Sequence, residues 1–276
     1  MNNSNFYQED HKNRKIFFQQ WLPNIPVKGV IALVHGLGEH SGRYGRMAEF
    51  YTSKGLAVIA IDLYGHGLTE GKKGHVDSME AFMEQLSVLT EKTKVLASGK
   101  PVFLYGHSMG GNLVLNYLFR NKPDIQGVIA SAPAVKPGFE PPKIKILIGK
   151  IGRAIAPSFT QPNGLELAAL SRDVAVVAAY IADPLVHNQL SGVLGLGILE
   201  WGEWLLKNPK NASIPVLFMH GTADRLTNFE ASKQLASQLS GDVTFNACEG
   251  MYHEIHNESD KQVVFDFTHN WIVQHS

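Results

Sequence analysis

The sequence predicts an α/β protein: a mostly parallel sheet of about eight strands, helices on both faces, and a helical cap inserted past its middle. Three observations carry this. Short apolar runs rich in Val, Ile and Phe alternate with helix-length stretches. Continuous apolar runs of this kind mark strands buried on both faces, as in a parallel sheet. The alternation breaks once, between Pro133 and Asn211, where no strand pattern occurs. Finally, one serine stands between glycines directly after an apolar run, at Gly106-His107-Ser108-Met109-Gly110.

Taken in order, Lys15–Leu22 is expected to form an edge hairpin with the residues before it. Strands are expected at Lys28–His35, Leu56–Asp62, Pro101–Tyr105, Gln126–Ser131, Ile214–His220 and Val243–Asn246. Stretches such as Ser78–Ala97 and Phe229–Leu239 have the length of crossover helices. The interruption opens on Pro133, Pro137, Pro141 and Pro142 and continues with apolar helical patterns. An insertion there predicts a helical cap (133–211) on a core made of 1–132 and 212–276. The cap would lie over the carboxyl ends of the strands, where open α/β sheets bind ligands.

Composition narrows the function. With 44% apolar and 18% charged residues the chain is globular rather than disordered. Twenty-five basic residues balance 25 acidic ones, which argues against a nucleic-acid partner. The single cysteine, Cys248, rules out an intrachain disulfide and fits a reducing compartment. The polar N-terminus does not resemble a signal peptide, and no apolar run reaches the roughly 18 residues of a membrane span. The expectation is a soluble, cytoplasmic protein, with peripheral membrane contact left open.

Gly-x-Ser-x-Gly is short and frequent, so its context decides. Here it follows the strand Pro101–Tyr105 and precedes the helical run Asn112–Arg120. A strand–elbow–helix turn needs small residues beside the serine and lifts its hydroxyl to the top of the sheet, the arrangement of the α/β-hydrolase fold. A serine hydroxyl needs a base to become a nucleophile, and the chain order in this fold is Ser, acid, His. Asp224, in the loop after Ile214–His220, is the acid candidate; Asp183 falls in the cap and Asp242 begins a strand. His253 lies in the loop before the final helix and is the base candidate, with His256 three residues on as its rival. The oxyanion of an acyl intermediate needs preorganised N–H donors. Met109, after the nucleophile, is one; Leu37, in the Gly-rich loop His35-Gly36-Leu37-Gly38, is the other candidate. The loop lacks the G-x-G-x-x-G spacing of a dinucleotide site. No cofactor or metal is implied.

Together these segments resemble the monoacylglycerol lipase and lysophospholipase family of serine hydrolases. The resemblance rests on His35–Tyr44, Asp62-Leu63-Tyr64-Gly65-His66-Gly67, Gly106–Gly111, Ser171-Arg172-Asp173, Asp183-Pro184-Leu185-Val186, Gly221-Thr222-Ala223-Asp224 and Tyr252-His253. It implies a triad of Ser108, Asp224 and His253, a mobile helical cap and an apolar acyl channel. It also implies an alcohol pocket bordered by Glu39, Arg43, Tyr180 and His256, with His107 beside the nucleophile. Glu39 and Arg43 have a second reading, as a pair that fixes the loop.

Other residues are weighed in the same way. Asp62 and Gly65-His66-Gly67 read as turn elements, and Cys248 as a packed thiol. Trp201 and Trp204 fit either the acyl channel or ordinary packing. Ile144, Leu147, Ile148, Ile151 and Ile155 form one helical stripe flanked by Lys143, Lys145, Lys150 and Arg153. Such a helix either packs on the domain or lies in a membrane interface. The expected reaction is hydrolysis of a carboxylic ester, foremost a monoacylglycerol. Lysophospholipids, other esters and amides share the triad chemistry. A hydrolase-fold binding protein would carry a broken triad, whereas this one is complete in the sequence.

Overall fold

A computed structural model describes residues 1–208 and 211–276; the part of the expected cap at Pro209 and Lys210 lies outside the described residues. In chain order the elements are β1 (Asn2–Glu9), β2 (Lys15–Leu22), β3 (Gly29–Val34), α1 (Gly45–Ser53), β4 (Leu56–Ile61), α2 (Met79–Ala97), β5 (Val102–His107), α3 (Met109–Asn121) and β6 (Gly127–Ser131). There follow α4 (Lys143–Ile155), β7 (Thr160–Pro162), α5 (Val174–Ala182), β8 (Gln189–Ser191), α6 (Gly192–Lys207), β9 (Asn211–Gly221), α7 (Phe229–Gln238), β10 (Ser240–Cys248) and α8 (Gln262–Gln274).

Eight strands form one sheet in the order β1-β2-β4-β3-β5-β6-β9-β10. The hairpin β1–β2 pairs antiparallel, β2 joins β4 antiparallel, and all remaining pairs are parallel. Every residue of β3, β4, β5 and β6 is buried. Successive side chains point to opposite faces, so Val30, Ala32 and Val34 enter one core with α2 and α3 residues, and Ile31 and Leu33 enter the other with α1 and α8 residues. This is why the strands read as continuous apolar runs.

Between β6 and β9 the chain is mainly helical, but β7 and β8 pair there as a short antiparallel ribbon. Three-residue strands carry too little pattern to register in the sequence. The segment is tied to the core at several points. Asp183 pairs with His40 at 2.9 Å, and the His187 N–H donates to the Gly38 carbonyl at 2.9 Å. Arg172 pairs with Glu258 at 3.0 Å and also with Asp260, and Asp173 caps α5 through the Ala175 N–H. Those ties account for the motifs at Ser171–Asp173 and Asp183–Val186. Helix α6 sends Leu194, Trp201 and Leu205 into the main core. Arg120 of α3 lies over the rings of Trp201 and Trp204 at 4.6 and 3.9 Å. Packing, not the channel, is therefore the role of both tryptophans.

Helix α4 differs. Gly149 is its one buried residue. Ile144, Leu147, Ile148, Ile151 and Ile155 are between 41% and 79% exposed, so the stripe does not pack on the domain. Among the described residues no helix is long and apolar enough to cross a membrane.

Candidate active site

At the end of β5 the chain turns abruptly into α3, with Ser108 in the turn at φ 56° and ψ −116°. A non-glycine residue held there costs about 1–3 kcal/mol, strain that clusters at functional sites. Sterics explain the flanking glycines. A Cβ on Gly106 would stand 2.2 Å from the Gly110 carbonyl oxygen, and one on Gly110 would stand 2.2 Å from that of Val34. The backbone around the serine is pinned: Ser108 N–H donates to Ser131 O at 2.9 Å, and Ser108 O accepts from Asn112 and Ala134.

Asp224 lies in the turn after β9. Its Oδ1 accepts the N–H groups of Leu226 (2.7 Å) and Thr227 (3.1 Å), and its Oδ2 accepts from His253 Nδ1 at 2.7 Å. The aspartate side chain is fully buried. Burial by itself would raise its pKa, but the positive character of His253 and the hydrogen bonds from His220 and His253 hold it far below the usual carboxylate range. For His253, burial disfavours the imidazolium, yet the Asp224 charge and hydrogen bond outweigh it and raise the pKa above that of a free histidine. Because a carboxylate only accepts, the His253 proton sits on Nδ1, and Nε2 keeps its lone pair. The rivals are engaged elsewhere: Asp183 with His40, and Asp242, on the surface, with His275 at 3.1 Å.

The loop after β3 is braced from within. His35 Nδ1 donates to Gly36 O at 2.7 Å, and His35 Nε2 accepts the Leu63 N–H at 2.9 Å. Glu39 Oε1 accepts from Gly36 N–H and from the Tyr44 hydroxyl, each at 2.8 Å. Arg43 bonds Glu39 Oε2 at 2.5 Å and forks onto both Glu254 oxygens at 2.6 and 2.7 Å. This buried network carries two carboxylates on one guanidinium. Burial pushes the Glu39 pKa up, but Arg43 pulls it down further, and Glu39 stays ionised. Among the described residues neither Leu37 N–H nor Met109 N–H has an acceptor, and both residues line the same cavity as Ser108 and His253.

That cavity has a volume of about 440 Å³, within the roughly 300–1,000 Å³ of small-molecule sites. Ser108, His253, Leu37 and Met109 line it together with Ile146, Gly149, Leu190, Leu196 and Leu199 from α4, β8 and α6. Glu39, His107 and Tyr180 also border it. Arg43 and His256 do not, contrary to expectation. Arg43 is committed to two carboxylates, with the Tyr180 ring 4.6 Å from its guanidinium. His256 is stacked on Tyr44 at 4.8 Å and set edge-on to His107 at 4.7 Å. Burial pushes its pKa down to about 4, so it is neutral at physiological pH. The turn residues behave as expected: Asp62 accepts the N–H groups of Ser41 and Leu68, each at 2.8 Å. Burial raises the Cys248 thiol to about 12, as befits a packed side chain.

Sequence reasoning missed three residues. Glu254 lines the cavity and holds Arg43. Thr227 bonds Asp224 Oδ2 at 2.8 Å, and His220 bonds the same oxygen at 3.0 Å. The available signal for His220 was its place four residues before the aspartate at a strand end.

A strained serine between β5 and α3, served by groups from the ends of neighbouring strands, defines the α/β-hydrolase class. The family model described as Hydrolase_4, serine aminopeptidase S33, matches residues 25–260. A monoacylglycerol lipase of Mycolicibacterium smegmatis is 33% identical over 95% of this chain and 94% of its own length. The chain is also 33% identical, over 92% of its length, to an uncharacterized abhydrolase domain-containing protein of Dictyostelium discoideum, of which it spans 27%. The crystal structure of the Paleococcus ferrophilus monoacylglycerol lipase superposes with a TM-score of 0.86 at 36% identity, covering 95% of this chain and 99% of that one. The chain belongs to the monoacylglycerol lipase family of α/β-hydrolase-fold serine hydrolases, and it is an enzyme of the carboxylic-ester hydrolase class.

Proposed function

We propose that the protein cleaves monoacylglycerols to fatty acid and glycerol through an acyl-enzyme on Ser108. The observation that carries this is the cavity, which Ser108 and His253 line together with apolar side chains of α4, β8 and α6. His253 Nε2 takes the Ser108 proton, and the alkoxide attacks the ester carbonyl. The N–H groups of Leu37 and Met109 hold the oxyanion. The intermediate collapses, His253 returns the proton to the departing glycerol oxygen, and the acyl group stays on Ser108. Water then attacks with His253 again as base, releasing the fatty acid. In this reading residues 133–211 form the cap, and α4 belongs to it.

The test is a side-by-side comparison of monoacylglycerol, lysophospholipid, triacylglycerol and fatty amide with one acyl chain. The expected result is the highest kcat/KM on the monoacylglycerol. Faster turnover of the lysophospholipid would replace the alcohol assignment while leaving the triad in place.

The alcohol pocket is assigned to Tyr180, Glu39 and His107, which border the cavity, with Arg43 and His256 supporting them from behind. A site built to bond a hydroxyl penalises an analogue that lacks it. Tyr180→Phe is expected to lower kcat/KM on a monoacylglycerol about 5- to 30-fold, the worth of a lost hydrogen bond, while changing the matching ethyl ester about twofold at most. Equal losses on both esters would remove Tyr180 from the pocket.

The α4 stripe is assigned to a lipid surface, since five exposed aliphatic side chains lie beside exposed Lys143, Lys145 and Lys150. Cations beside an apolar face fit an anionic interface. Ile148→Ser with Ile151→Ser is expected to weaken binding to anionic vesicles by about tenfold or more. Hydrolysis of a short soluble ester should be spared. Unchanged vesicle binding by the double variant would rule out α4 as the docking face.

A further inference from the structure

Asp224 serves two histidines, and the reaction above uses only one of them. Its Oδ2 lies 3.0 Å from His220 Nε2 as well as 2.7 Å from His253 Nδ1. His220, near the end of β9, is fully buried. Its Nδ1 lies 2.9 Å from Ser232 Oγ on α7, and the Phe229 ring stands edge-on at 5.7 Å. Thr227 Oγ sits between the two imidazoles, 3.3 Å from His220 Nε2 and 3.3 Å from His253 Nδ1, and 3.1 Å from Ala132 O.

Donor and acceptor chemistry fixes the tautomer. A carboxylate offers only lone pairs, so His220 presents a proton on Nε2, and Ser232 can then donate to a neutral Nδ1. We infer that His220 is a positioning residue: it locks the Asp224 carboxylate in place and divides its charge between two rings, which sets the basicity of His253. This rests on the triad reading proposed above.

The consequence for pH follows from the sign of that division. A donor withdrawn from Asp224 leaves the carboxylate a stronger acceptor for the His253 proton. The imidazolium of His253 is then favoured, its pKa rises, and the acid limb of activity moves to higher pH. The other groups facing His253 are Glu254 and Glu39, which also favour its charge, and the rings of His107 and, beyond it, His256. None of these changes when His220 is replaced.

The experiment measures kcat/KM against pH on a short soluble ester for the wild type, His220→Phe and His220→Gln. Phe keeps a ring without donors; the Gln amide places an N–H near the position of Nε2. His220→Phe is expected to raise the acid-limb pKa by about half to one unit and to lower kcat about tenfold, as loss of one hydrogen bond to a charge implies. KM should hold within about twofold, and His220→Gln should restore the wild-type limb, because only the donor matters. A second measurement needs no substitution at His220. Imidazole nitrogen NMR shifts of the wild type should show His220 carrying its proton on Nε2, with Nδ1 as the acceptor. An unmoved acid limb in a folded His220→Phe, or an Nδ1–H tautomer in the wild type, overturns the inference. Failure of a fluorophosphonate probe to label Ser108 would instead overturn the triad reading beneath it.

Discussion

Ser108→Ala should abolish turnover, lowering kcat by about 10⁶ while the protein stays folded and still binds ester. Residual acceleration over water should survive, because the N–H groups of Leu37 and Met109 and the cavity itself remain. Alanine removes only the hydroxyl; the strained turn depends on Gly106 and Gly110, which are untouched. The check is single-turnover and steady-state kinetics with melting temperature as control, together with peptide mapping after treatment with a fluorophosphonate. Label on Ser108 and no other serine is the expected outcome. Near-normal activity in the alanine variant would remove Ser108 from the chemistry.

The next largest loss is expected at the acid. Asp224→Asn should lower kcat by about 10⁴ at neutral pH, because an amide can present its N–H to His253 and stabilise the wrong tautomer. In this protein the damage reaches further. Asp224 Oδ2 also meets His220 and Thr227, so the asparagine cannot satisfy both rings as a common acceptor. Its Oδ1 bonds to Leu226 N–H and Thr227 N–H should keep the turn in place and the melting temperature close to that of the wild type. Fluorophosphonate labelling of Ser108 should slow in parallel with kcat. A loss smaller than about tenfold would show that His253 does not depend on this carboxylate for its tautomer.

Much of this site was legible along the chain because each part hangs from a strand end. Ser108, Asp224 and His253 were assigned from chain order and from the runs that precede them, and the structure brings Asp224 and His253 to 2.7 Å. The strand cores were equally plain, since burial on both faces leaves no polar positions to interrupt β3, β4, β5 and β6. The cap was harder. Helix α6 looked like part of an insertion because its apolar residues run without a strand between them. Trp201 and Leu205 nevertheless join the main core.

The amino-acid sequence by itself determined the fold class, the strained turn at Ser108 and the order of the candidate catalytic groups. These depend on local sterics and on period, and both are written in neighbouring residues. Only the tertiary structure decided what each charged and aromatic side chain faces. Glu39 and Arg43 are near in sequence, but Arg43 is completed by Glu254, 211 positions away. His256 is three residues from His253, yet it does not line the cavity and stacks on Tyr44. The α4 stripe has the same period whether it packs or stays bare, and the fold leaves it bare. Periodicity reports which residues share a face; what covers that face is set by contacts between segments far apart in the chain.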